Sequence, residues 1–357
     1  MDGLIHPRDL EAWHRWQDAR LPLSRRLKRM AGVLRDIARP DTRAGQVVVT
    51  RGGPTPRVLV CLESGSPSSV LALLRPLRDL HPEEVAVVAP VAVREHLPPW
   101  TWQESGGLAL EVMPELATGA AVVLSTGHYL PVGRTAHAAL AAADPALVSR
   151  FVTVQHGLLT PHAPPLAAGT TLLAWSEADA TFWRSGRDDV ETAVVGSQLL
   201  WDAAEPPHAV PDPEARPVFL GQLHGAELPR EVLAAAAEGF CRAEHAVYRP
   251  HPSERDRASL ETHRRWEEAG ITIDRSGVPL RELGAPVVSV FSTGVLEAAA
   301  AGLPAWVHCT DPPAWLRGFW ERYDLVPWGG PPTASPERPH LEPSLAIARR
   351  VQGMMAP

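Results

Sequence analysis

The feature that most constrains the fold is a repeated alternation. Short, continuous apolar runs are each followed by a stretch with helical spacing. RVLVCLESG (57–65) precedes SSVLALLRPLRDL, and EVAVVAPVAV, AAVVLSTGHYL, RFVTVQHG, TTLLAWS and ETAVVGS follow in turn. Runs of this kind are what strands buried on both faces look like, and their alternation with helical segments predicts βαβ units around a parallel sheet. A Pro- and acid-rich segment, SQLLWDAAEPPHAVPDPEAR (197–216), interrupts the series. Beyond it a second series begins with PVFLGQLHG, LPREVLAAAAEGFCRA, HAVYRPHPSE, SLETHRRWEEAG, ITIDRSG, PVVSVFSTG, VLEAAAAG and LPAWVHC.

With 357 residues and about 100–200 residues per domain, the expectation is an α/β chain of two domains. The boundaries are an N-terminal helical segment 1–44, a first domain 45–196, a linker 197–216, a second domain 217–335 and a C-terminal tail or helix 336–357. Lys plus Arg number 34 and Asp plus Glu 41, a net charge of −7. That balance argues against nucleic-acid binding by bulk charge. The three cysteines, Cys61, Cys241 and Cys309, form no CxxC, so a reducing compartment is expected. The start lacks an apolar leader core and no run approaches the roughly 20 apolar residues of a membrane span. A cytoplasmic protein is the expectation. Leu21–Arg39 sets Leu23, Leu27, Met30, Leu34 and Ile37 on one stripe, with Arg25, Arg26, Lys28, Arg29 and Arg35 opposite. This helix either packs on the first domain with a solvated basic face or makes peripheral contact with an anionic membrane.

Ligands of parallel α/β sheets bind at the carboxyl ends of strands, and three such ends stand out. In SVFSTGVLEAAAAGLPAW (289–306) a buried strand runs into Ser292, Thr293 and Gly294 and then directly into a helix carrying Glu297. Hydroxyls and free N–H groups at a helix start suit a phosphate, although an ordinary capped helix would read the same way. In AVYRPHPSE (246–254) two prolines bracket His251 after Arg249. They hold the imidazole in an extended turn, as a phosphate donor, an acid or a cap of the next helix. In FVTVQHGLLTPH (151–162) a strand ends in Gln155, His156 and Gly157. There a neutral imidazole could take a proton from a hydroxyl. A fourth loop, Ser64, Gly65 and Ser66, is small and polar and reads as a contact for acceptor or donor, or as a plain β–α turn. No DxD element or histidine pair with metal spacing is evident, so no metal and no cofactor are expected.

The order QHG, RPHP, then a strand ending in Ser-Thr with an E-A-A-A-G-x-P helix resembles GT-B transferases of cell-envelope polymers. These include the CDP-glycerol glycerophosphotransferase-like, polysialyltransferase-like and capsule Kdo-transferase-like groups. WSEADATFWRSG followed by ETAVVGS (175–197) fits the same pattern. The resemblance covers residues 151–306. It implies two Rossmann-like domains with parallel sheets facing across a cleft, and metal-independent transfer of a sugar or polyol phosphate. The co-substrate implied is a nucleotide-activated sugar of CMP/CDP or UDP type, with a glycan or lipid-linked acceptor. It implies His156 as base, with His251, Ser292 and Thr293 holding the donor phosphates; the two histidines could exchange roles, and Arg249, Gly294 and Glu297 are further donor-site candidates from the reading of the residues themselves. Gln155, Gly157 and Ser64–Ser66 would line the acceptor side. Gln155 stands where the glycerophosphotransferase pattern has Trp, which puts glycerol phosphate in doubt. Glu63 is the one loose match to the acidic motif of the sialyl-type branch. The alternatives are an epimerase of the UDP-GlcNAc 2-epimerase type and a non-catalytic nucleotide- or glycan-binding relative.

Overall fold

A computed structural model describes residues 3–20, 46–212 and 214–356. The stretch 21–39, read above as a basic amphipathic helix, lies outside the described residues. The chain divides into two compact units. One comprises the residues through Gly157, Pro161–Gln198 and the chain from Pro339 onward; the other comprises Leu158–Thr160 and Leu199–Arg338.

The first unit is built on an eight-stranded sheet. Its strands are β1 (Gln46–Arg51), β2 (Val58–Cys61), β3 (Val85–Ala89), β4 (Gln103–Ala109), β5 (Val122–Ser125), β6 (Phe151–Val154), β7 (Thr171–Ala174) and β8 (Glu191–Val194), in the order β4-β1-β3-β2-β5-β6-β7-β8. From β3 across to β8 the pairs are parallel, and β1 runs antiparallel to both β3 and β4. Every residue of β2, β3, β5, β6 and β7 is buried, which is why these strands read as unbroken apolar runs. Successive side chains serve opposite faces. Val58 and Val60 join a core with Leu73, Leu77, Ile347, Ala348 and Val351, while Leu59 and Cys61 join one with Met113, Ala136 and Leu140.

The C-terminal residues, expected as a tail or helix beyond the second domain, form the helix Pro343–Met355, and its apolar face completes the first unit's core. Arg57 donates to the Met355 carbonyl at 2.6 Å, fixing that return. The segment read as a linker contains a short helix, Gln198–Ala203, and the division between units falls between Gln198 and Leu199.

The second unit holds β9 (Val218–Leu220), β10 (Val247–Arg249), β11 (Val287–Ser289) and β12 (Ala305–Val307), all parallel, in the order β10-β9-β11-β12. ITIDRSG, expected as a strand, contributes a single bridge from Ile273 to Tyr248. Phe219, Tyr248, Trp266 and Phe319 are among the core's largest fully buried side chains. In each sheet the chain first builds outward on one side and then crosses to the other. The crossings place switch points between β2 and β5 and between β9 and β11, where open α/β sheets leave a crevice at the carboxyl ends. Among the described residues no helix is long and apolar enough to cross a membrane.

Truncating Ile347, 2% exposed, should leave a cavity in the first unit. Ile347→Ala is expected to lower stability by about 2–5 kcal/mol in urea unfolding. A loss below about 0.5 kcal/mol, as at a surface position, would contradict a structural role for the C-terminal helix.

Candidate functional site

The second unit gathers most of the expected residues at one sheet end. Gln222, two residues beyond β9, bridges the switch point: its Oε1 accepts from the Ser289 hydroxyl at 3.0 Å and from Phe291 N at 2.9 Å. The loop after β11 is thereby held against the loop after β9. Ser292 Oγ accepts from Gly294 N at 3.1 Å, and Thr293 Oγ1 accepts from Leu158 N at 3.4 Å. Ser292 Oγ thus accepts from the first N–H of the helix Gly294–Ala300, while Thr293 Oγ1 accepts from the distant Leu158 amide; in these bonds both hydroxyls act as acceptors and keep their own protons to donate. A Cβ at Gly294 would lie 2.5 Å from Leu220 Cδ1, so a side chain there would have to displace the Leu220 end.

Glu297 projects from this helix. Burial raises its carboxyl to about 7, against the opposing pull of Arg249 and Arg281. Arg249, expected to reach a donor phosphate, is committed inward. Its guanidinium donates to the Val278 carbonyl and lies 3.5 Å from Asp274. Its contribution is the positive charge that it holds near Glu297.

Glu254, the last residue of the AVYRPHPSE stretch, organises the loops after β9 and β10. It is 3% exposed. It accepts from Tyr248 Oη at 2.8 Å, from Leu223 N at 3.0 Å and from His251 N at 3.3 Å, and pairs with His263 Nε2 at 2.9 Å. Burial alone would raise this carboxyl; bonds from His224, His263, Tyr248 and the His251 amide outweigh it and hold the group at about 2. Gly221 makes room for the arrangement, because a Cβ there would sit 2.3 Å from Tyr248 Oη and 2.7 Å from Glu254 Oε1.

His251 follows from that scaffold. Its Nδ1 accepts from Ser253 N at 3.1 Å, so the proton of the neutral ring resides on Nε2, which is then a donor and not a base. Desolvation, then the neighbouring His224, hold the ring at about 4. His224 stacks on it with centroids 3.9 Å apart and planes at 20°. Sequence reasoning singled out neither Gln222, His224 nor Glu254, although the first two lie in the quoted PVFLGQLHG run.

In the first unit, Gln155 is buried and spends its amide internally. It accepts from Trp175 N at 2.8 Å and donates to the Gly157 carbonyl at 3.0 Å. It shapes the loop and is not free to meet an acceptor. A Cβ at Gly157 would meet nothing within 4 Å, so no protein neighbour demands glycine there. His156 is half-buried, with Nδ1 shielded from solvent and lacking a hydrogen-bond partner, and burial lowers the ring to about 4.

Ser64–Ser66 lie beyond β2, separated from the β6 end by β5. Ser66 Oγ bonds Ser69 Oγ at 2.8 Å, while Ser64 and Gly65 are exposed. The Gly65 Cβ position is 4.0 Å from His96 Nε2. His96 lines a cavity of about 470 Å³ together with Leu74, Arg75, Arg78 and Trp100, none of which the sequence motifs indicated. Glu63 caps the helix Pro131–Ala143 through Gly133 N at 2.8 Å, and burial raises its carboxyl. Among the described residues no group of His, Cys, Asp and Glu could hold a metal.

No protein-family model matches the chain, and no curated protein matches it. Among solved structures, 11 chains match. One is a mutant of the O-GlcNAc transferase of Thermobaculum terrenum, with 14% identity and a TM-score of 0.42; the match covers 85% of this chain and 61% of that one. The chain thus spans less than two thirds of that transferase's length.

Glu254 gives the site a distinct acid signature. Its depressed pKa contributes stability that is complete above the ordinary 4.5 and is lost as pH falls towards about 2. At 1.36 kcal/mol per unit this amounts to about 3 kcal/mol. Glu254→Gln should therefore cost about that much in urea unfolding at pH 7, with the gap closing between pH 4.5 and 2. A gap that stays constant across that range would contradict an ionised Glu254.

Proposed function

We propose that the chain is a metal-independent glycosyltransferase of GT-B type. It moves a sugar unit, or a polyol phosphate, from a nucleotide-activated donor to a carbohydrate acceptor hydroxyl. The observation that carries the reading is the set of polar groups at the switch point between β9 and β11. There the hydroxyls of Ser292 and Thr293 and the Glu297 carboxyl belong to one strand-to-helix connection, while the adjacent loop after β10 presents the Nε2–H of His251. These groups can meet the charge of a nucleotide phosphate without a metal ion: N–H and O–H donors stabilise the leaving group's developing charge. Glu297, poised near neutrality, suits acceptance of a hydroxyl of the donor.

In the transfer, the acceptor oxygen bonds to the carbon (or phosphorus) being transferred. The bond from that atom to the leaving nucleotide's phosphate oxygen breaks, and the electron pair stays with the phosphate. The acceptor proton passes to His156. The tautomer fixed at His251 favours this division of labour, because the lone pair of that ring already accepts from Ser253 N. The cavity beside Ser64–Ser66 combines the Trp100 ring with Arg75 and Arg78. With Glu95 also in the lining, an aromatic face among charged groups suits a sugar and its hydroxyls, in keeping with an acceptor in cell-surface polysaccharide synthesis. The motif order QHG, RPHP and Ser-Thr supports the same branch and a CMP/CDP- or UDP-type donor.

His156→Ala should reduce kcat by about 10²–10⁴-fold while the donor dissociation constant stays within twofold. The Glu297 carboxyl titrates at about 7, so the profile is read in a Glu297→Gln background; because the base must be deprotonated and burial sets its pKa at about 4, turnover there should hold level from pH 7 to 5 and fall only below that. Near-normal turnover in His156→Ala, or an acid limb near the ordinary 6.5, would contradict the assignment.

A further inference from the structure

His224 and His251 do more than neighbour each other. Their rings stack face to face at 3.9 Å, at the ends of the loops that leave β9 and β10, on top of a buried carboxylate. Glu254 Oε1 lies 4.0 Å from His224 Nδ1 and within bonding distance of the His251 amide. Two stacked imidazoles cannot both carry charge cheaply, since like charges at contact disfavour one another's protonation. One proton is a different matter. A carboxylate beneath the pair and an anion above it would both favour a single cation between them. Without that anion, desolvation and the paired ring keep His251 neutral at pH 7.

We propose that His224 and His251 bind a phosphate group of the donor as a pair that takes up one proton on binding, with Glu254 as the buried countercharge. His224 thereby becomes a phosphate-site residue in its own right, and affinity for phosphorylated ligands becomes pH-dependent. The inference rests on reading the second unit as the nucleotide-binding unit.

Other titratable and charged groups face the pair. Tyr248 and His263 are bonded to the far oxygen of Glu254. Arg230 is spent on the Leu223 carbonyl at 2.8 Å and the Ser259 hydroxyl at 3.2 Å. Glu227 Oε2 receives Ala226 N at 2.9 Å, beside Gly225. Ser253 N holds His251 Nδ1, so the ring meets the anion through Nε2–H, and the added proton is the one that makes the pair cationic.

The test uses inorganic pyrophosphate and the full chain. Calorimetric titration of the wild type and of His224→Gln at pH 7 in two buffers of different ionisation heat counts net proton uptake, and the difference between the two proteins removes the probe's own contribution. A difference approaching one proton is expected. Between pH 7.5 and 5.5 the wild-type affinity should rise by up to about tenfold per unit relative to His224→Gln, a comparison in which the probe's own titration cancels. A difference near zero, a slope shared by wild type and variant, or no pyrophosphate binding would each overturn the proposal. Intact proton uptake in a protein that transfers from no sugar nucleotide would uphold the pair while removing the transferase reading. Transfer activity with no proton uptake would overturn the pair and leave that reading in place.

Discussion

The second unit is arranged around a charge removed from water. Glu254 is ionised and buried, a state that persists only if donors replace the lost hydration. Tyr248 supplies one from β10, Leu223 and His251 supply two from the loops after β9 and β10, and His263 supplies one from the helix Arg257–Glu268. Four separate segments are thereby fixed relative to one carboxylate. Gly221 is small because this carboxylate and the Tyr248 hydroxyl occupy the space that a side chain would need. His251 owes its tautomer to the same turn, since Ser253 N reaches its Nδ1 within the loop that Glu254 closes. Remove the carboxylate and the loops that flank the β9–β11 crevice lose their common anchor.

The first unit solves a different problem. Its central strands are apolar on both faces, so helices must cover both, and the chain reaches back from its C-terminus to finish one of them. The Pro343–Met355 helix supplies that cover. Around this rigid sheet the loops after β2, β5 and β6 are free to carry polar groups. Among the described residues His156, after β6, and His128, after β5, each carry a shielded ring nitrogen that has no hydrogen-bond partner. An unsatisfied buried nitrogen is costly to keep, and a hydroxyl-bearing ligand would satisfy it.

Much of this was legible in the sequence. The strands buried on both faces announced themselves as unbroken apolar runs, and their alternation with helices indicated a parallel α/β architecture. What was missed follows from the same physics. β1 and β4 form the antiparallel side of the first sheet. β4, QESGGLA, has neither an apolar run nor alternation, because it pairs on one side with β1 and leaves much of itself exposed. At the site, the motif residues that sit at strand ends were found, and those that act through distant partners were not. Gln222 bonds to residues 67 and 69 positions away, and Glu254 looks in sequence like any acidic residue after a turn. Arg249 and Gln155 show the converse: well placed in their motifs, they are consumed by internal bonds that no local pattern reveals.

The central claim is that the second unit binds a nucleotide at the carboxyl ends of β9 and β11. Thermal unfolding of the wild type and of the Ser292→Ala/Thr293→Ala variant with CMP, CDP, UDP, GDP and dTDP tests it most directly. A ligand present at about 100 times its dissociation constant adds about 2.7 kcal/mol to the folded state. The account predicts that at least one pyrimidine nucleotide raises the wild-type transition accordingly and shifts the double variant by much less. If no nucleotide moves the wild type, or if one moves both proteins equally, the account is wrong.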